Sequence, residues 1–346
     1  MNLKKATLTA AVAAALGVGM VGEASAYVYA TSYLEVKDLS IYTSDSNGTP
    51  IYPTTYNFYS TNTASLNGVP TIQMATCSGT FGGSTTCGPG LPGTPVLDPL
   101  VAAIPAGARG GQNNYAYVGT GSQYGSADSV IWNAELVNPN TKTHTQQIAE
   151  SNLLSGTDAG GSAELQSVTK FLYNFAVGSG LTANVTINFD ANPDLMAAIN
   201  DPTATAATAQ ANMRFVLQLT QNNGNGLVIW HPRGTFPGPG TNDCTIANVA
   251  GGVCTETNDG EDLNNQVSVA TTPVSSAAYS YNNGVLSPFG LKITGLTAGD
   301  WSFSLDALTS ENVTRVPEPG TLLLLGAGLV GLGIARGRRG RAAPSA

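Results

Sequence analysis

Apolar and polar residues interchange one for one along residues 33–42, and similar runs return at 129–137, 165–177, 181–189, 214–220, 227–231, 284–293 and 301–305. A period of two puts alternate side chains on opposite faces of a strand, a pattern the 3.6-residue helical turn does not produce. Gly, Asn and Pro separate most of these runs. Residues 222–226 (Asn-Asn-Gly-Asn-Gly) and 282–284 (Asn-Asn-Gly) tolerate the positive φ that tight hairpins require, so antiparallel pairing follows. The expected fold is all-β and mainly antiparallel, a single large β-sandwich of jelly-roll type, with a closed barrel as the competing architecture.

Two stretches depart from that pattern. Pro193 opens a helix-prone run to Asn200, and Asp201-Pro202 then stops or restarts it, so one or two short helices are expected around 193–213. Residues 77–108 carry Gly-Pro and Pro-Gly pairs with little alternation and read as a long loop.

Only 10% of the 346 residues are charged, which rules out a charge-rich coiled coil. With 42% hydrophobic residues, including 13 Tyr, the chain has the apolar surface to order itself. The net charge of −8 removes the basic footprint that phosphate contacts demand, and nucleic acid is excluded as a partner.

The two ends carry membrane-directed signals of opposite character. Lys4 and Lys5 precede an apolar run over 10–21 and the small-residue site Ala24-Ser25-Ala26, the pattern of a secretory signal peptide (1–26) cleaved before Tyr27. At the other end, Pro317-Glu318-Pro319 is followed by an apolar segment over 321–335 and by Arg336, Arg338, Arg339 and Arg341. Those arginines hold the cytoplasmic side. Fifteen helical residues reach roughly 22 Å against a hydrocarbon core of roughly 30 Å, so a transmembrane helix here is a short, provisional anchor.

This arrangement over 316–346 resembles the PEP-CTERM sorting signal of Gram-negative bacteria. The resemblance implies recognition of Pro317, Glu318 and Pro319 by an exosortase, a membrane transpeptidase, after signal peptidase has acted. It further implies an inner-membrane intermediate, release of the chain to the cell surface or beyond, and association with exopolysaccharide and biofilm. Residues 326–331 (Gly-Ala-Gly-Leu-Val-Gly) also match the dinucleotide fingerprint G-x-G-x-x-G. The fingerprint needs a strand before it and an acidic residue about twenty positions after it, and neither is present.

Between the signals, residues 27–315 hold eight basic and twenty acidic residues, a net charge of −12. Four cysteines fall as Cys77/Cys87 and Cys244/Cys254, each pair enclosing nine residues. Export permits disulfides, and the equal local spacing favours pairing within each couple, stapling two loops; zinc would need closer pairs and histidines.

The search for chemistry gives few candidates. There are two histidines, His144 and His231, and no cysteine left over, so Cys-His catalysis is excluded and a Ser-His-Asp triad has few ways to assemble. A pair of carboxylates doing glycosidase work is the enzymatic alternative, although no motif nominates one. Asp259, Glu261 and Asp262 form the densest acidic cluster and are candidate ligands for a structural calcium, without the spacing of an EF-hand; no other cofactor is expected. Tyr115, Tyr117, Tyr124 and Trp230 are candidate stacking surfaces for sugar rings. The function expected is that of a noncatalytic exported surface or matrix protein, with a carbohydrate-active hydrolase as the alternative.

Overall fold

The computed structural model describes residues 26–80, 86–87, 100–101, 115, 117, 119–120, 123–132, 142–154, 161–201, 204–234, 243–271, 277–282 and 284–317. Among them there is no helix, and therefore none long and apolar enough to cross a membrane. Residues 1–25, including Ala24, and residues 318–346, including the expected membrane helix and the arginines, lie outside the described residues.

Two antiparallel sheets enclose the core. The eight-stranded sheet runs in the order β13 (Val253–Asp259), β16 (Ser287–Leu296), β9 (Ala183–Asn200), β1 (Tyr27–Asp45), β7 (Thr143–Leu154), β6 (Tyr124–Trp132) and β5 (Leu100–Val101), and β15 (Ala277–Asn282) also pairs with β9. The nine-stranded sheet runs β12 (Cys244–Ala247), β11 (Leu227–Trp230), β10 (Ala204–Gln221), β17 (Gly299–Pro317), β8 (Gly161–Val177), β2 (Thr55–Leu66), β3 (Val69–Thr80) and β4 (Thr86–Cys87), and β14 (Gln266–Thr271) pairs with β10. The longest strands have 17 to 19 residues, which makes the sandwich about 60 Å long.

The helices expected around 193–213 are not there; the segment is the end of β9 and most of β10. Burial alternates along it apart from Ala198, which is buried as well, with Leu195, Ala197 and Ile199 inward on β9 and Ala207, Ala209, Ala211 and Met213 inward on β10. Alanine's helix propensity is worth a few tenths of a kcal/mol per residue, and burying the period-two face against the opposite sheet outweighs it. Pro193 is tolerated in this central strand for a local reason. On the side away from β1, the partner of β9 changes from β16, ending at Ser287↔Ala191, to β15, starting at Asn282↔Asp194. The residue without an N–H falls in that gap.

The expected long loop over 77–108 contains the end of β3, β4 and β5. The β2–β3 hairpin turns through Asn67 and Gly68, both at positive φ, a turn signal like those recognised at 222–226 and 282–284.

Tyr27 pairs with Leu154 and Asn200, Pro317 pairs with Ala204, and Arg315 pairs with Gly161. The first residue of β1 and the last of β17 therefore leave the sandwich at one end. Both strands are central in their sheets, so the nine-stranded sheet is not complete until the carboxyl-terminal strand β17 has been inserted.

Candidate functional site

Among the described residues, a group of three carboxylates is drawn together where the two sheet edges meet. Trp230 in β11 pairs with Cys244 in β12, and Cys244 is bridged to Cys254 in β13 with the Cα atoms 6.1 Å apart. This disulfide joins an edge strand of one sheet to an edge strand of the other, and so clasps the sandwich rather than a loop. Cys77 is also disulfide-bonded, and strand register sets it directly opposite Cys87.

The clasp gathers Asp243, Glu256 and Asp259, whose carboxylate oxygens lie within 4.8 Å of one another. Trp230 donates its indole N–H to Glu256 Oε1, and the Asp243 amide donates to Glu256 Oε2 at 3.1 Å. The amides of Arg233 and Gly234 both donate to Asp259 Oδ2 at 3.0 Å. Gly234 has φ +70°, and a Cβ there would come within 2.8 Å of the Glu261 and Asp262 backbone, so this turn needs glycine. Burial raises the Glu256 carboxyl above its ordinary range, and the negative Asp259 and Asp243 beside it add to the effect. His231, on the rim, is held below its ordinary value by burial and by Arg233 and Arg214.

The acidic residues singled out from the sequence do not converge. Only Asp259 joins the cluster. Glu261 accepts the Ser287 hydroxyl, and Asp262 accepts the Asn264 amide at 2.8 Å while its own N–H donates to the Tyr281 hydroxyl at 2.8 Å. Asp243 and Glu256 had a signal available, because they flank the bridged cysteines and pairing Cys244 with Cys254 brings them together. Three carboxylates are donors of the kind a hard cation takes. Both oxygens of Glu256 and one of Asp259 already accept N–H groups, and what they do is fix the turn after β11.

Trp230 is not a sugar platform. It is 0% exposed, with its ring centroid 5.9 Å from that of Phe189. All four residues of β11 are apolar, so the sequence offered no polar face to reveal which side points inward. Tyr124 is likewise buried and donates its hydroxyl to the Gly119 carbonyl at 3.0 Å. Tyr115 is half-buried, whereas Tyr117 is 45% exposed. Tyr117 donates to the Asp194 carboxylate and packs edge-on against Tyr33, 6.4 Å between centroids, on the outer face of the eight-stranded sheet.

At the end where both termini leave, the last strand is latched. Arg315 and Asp201 form a buried ion pair, and two residues later Pro317, the first residue of the Pro-Glu-Pro tripeptide, is still paired with Ala204. The tripeptide thus begins inside the folded domain without an intervening linker.

Residues 315–339 match the PEP-CTERM protein-sorting motif. No curated protein matches the chain. A solved structure, "Structure of infectious bursal disease virus Gx strain", is similar over 86% of this chain and 83% of its own at 12% identity, with a TM-score of 0.07, which carries no argument. The end of β17 thus runs straight into this motif: the chain carries the PEP-CTERM protein-sorting motif at its carboxyl end, which implies export and sorting toward the cell surface by an exosortase-type system.

Proposed function

We propose that the protein is a noncatalytic component of the cell surface or extracellular matrix that associates with exopolysaccharide. The observation that carries this reading is how the densest carboxylate cluster is used. Glu256 and Asp259 are buried and bound by indole and backbone N–H groups, so they brace a turn and present no open pair to a glycosidic bond. The sorting motif supplies the address, and its position at the end of a central strand fits a domain held at the membrane until it is released.

The test is incubation of the exported protein, purified from surface material, with exopolysaccharide of the same organism. Retention without release of soluble fragments supports the proposal. Release of sugar fragments, abolished by Glu256→Gln or by another single carboxylate substitution, establishes the hydrolase instead.

A further inference from the structure

We infer that a polar groove on the outer face of the nine-stranded sheet is a binding site for an uncharged polysaccharide chain, an assignment that rests on the glycan-associated reading above and gives it a location. The groove is about 480 Å³, within the usual range for a ligand site. Strand register sets Thr63, Gln166, Ser310 and Asn212 in one row across β2, β8, β17 and β10. Neighbouring strands lie about 4.8 Å apart, so this row of hydroxyls and amides spans about 14 Å. The next outward-facing row lies about 7 Å along the strands and includes Glu164 and Gln210.

Three features select the ligand class. Hydroxyl and amide side chains both donate and accept, which matches the vicinal hydroxyls of a sugar. The platform is also partly preorganised: Gln210 Nε2 donates to Asn212 Oδ1 at 3.0 Å, and β10 is fixed from behind by the Ser32 hydroxyl donating to the Asn212 carbonyl at 2.7 Å. Among the described residues lining the groove, the charged ones are Glu164, exposed, and Glu311, whose carboxyl turns inward to Ser151. With no cation among the described residues lining the groove, on a protein that is acidic overall, an anionic chain is repelled and a neutral one is not.

The third feature is apolar. On the neighbouring strand β3, Ile72 lies opposite Thr63 and Met74 opposite Thr61, and they are 64% and 56% exposed. A pyranose has an apolar C–H face and a polar hydroxyl edge. A sheet face that changes from Ile72 and Met74 to Thr63 and Gln166 across one strand presents both complements side by side.

Affinity electrophoresis of the exported protein through gels containing neutral β-glucan or anionic alginate tests the site. Wild type should be retarded by the β-glucan and not by alginate. Gln166→Ala combined with Asn212→Ala should raise the dissociation constant for β-glucan about tenfold with an unchanged melting temperature. Glu164→Lys, which places a cation in the groove, should gain retardation by alginate. Wild-type retardation that both variants leave unchanged overturns the groove and leaves the glycan-associated reading standing. Retention on native exopolysaccharide without retardation by β-glucan overturns the neutral-chain assignment. Binding to neither overturns the groove and the function it rests on.

Discussion

The two ends of the sandwich interior are built on different principles. One end is aromatic: Phe58, Phe171, Phe175, Phe189, Phe215, Phe289, Phe303, Trp230 and Trp301 form a continuous cluster in which Phe189 stacks on Phe289 at 5.0 Å and Tyr173 on Phe303 at 4.6 Å. The other end, where both termini leave, is packed with Ala30, Ala64, Ala127, Ala149, Ala163, Ala197, Ala207 and Ala209 among a few Val, Leu and Ile. A buried polar band lies between them: Ser60 and Asn62 meet Ser129, Thr169 donates to Gln147 at 2.9 Å, and Ser151 donates to Glu311 at 2.6 Å. Ser32 and Ser167 reach across to backbone carbonyls of the opposite sheet, Asn212 and Asp128, at 2.7 and 3.1 Å. A serine can span the gap only where the sheets lie close. Side-chain volume thus sets the separation: wide and held by rings at one end, narrow and held by alanines and hydroxyls at the other.

The largest effect is expected at the aromatic end. Phe303→Ala removes a fully buried ring from the central strand β17 and should cost roughly 3 to 5 kcal/mol in a denaturant titration. A loss below about 1 kcal/mol would mean that this end can collapse around the gap, and the contrast between the two ends would fail.

Ala209→Leu tests the narrow end from the opposite direction. Its side chain is fully buried on β10, and added volume there should cost roughly 1 to 3 kcal/mol by overpacking, although the substitution is more hydrophobic. A stabilised variant would show that the sheets are not closely spaced there.

The smallest effect sharpens the account of the polar band and is read through pH. Burial, and then the negative Glu150 and Glu164, hold the Glu311 carboxyl well above its ordinary value of 4.5, with the Ser151 hydrogen bond pulling the other way. The folded state therefore keeps a proton that the unfolded state releases. This contribution to stability is complete below about pH 4.5 and is lost as pH rises toward the folded-state value. Glu311→Gln keeps the shape without the charge. Its melting temperature should equal that of the wild type at pH 4 and exceed it at pH 8; an equal difference at both would separate the pH dependence from Glu311.

Much of the fold was legible because period two is a local property. The runs at 165–177, 181–189 and 214–220 became parts of β8, β9 and β10, since their inward faces are mainly apolar, Ser167 and Thr169 of β8 excepted, and their outward faces mainly polar. What misled was composition without face. The alanines at 197–211 read as helix because Ala has no side chain to declare a side, and Trp230 read as exposed because its strand is apolar on both faces. The sites fared less well for a related reason: Asp259 was visible, but Asp243 lies just before β12 and meets Glu256 and Asp259 of β13 only through the clasp.

The sequence by itself determined the strand period, the cysteine couples and the sorting motif, because each is written in neighbouring residues and needs no distant partner. Only the tertiary structure decided which strands adjoin and how closely the sheets approach. It alone showed that the alanine-rich stretch is strand, that the Cys244–Cys254 bridge joins two sheets, and that the sorting tripeptide begins in a central strand beside the buried Arg315–Asp201 pair. The Arg315–Asp201 and Pro317↔Ala204 contacts link residues more than a hundred apart in sequence, where burial of whole faces outweighs any local preference.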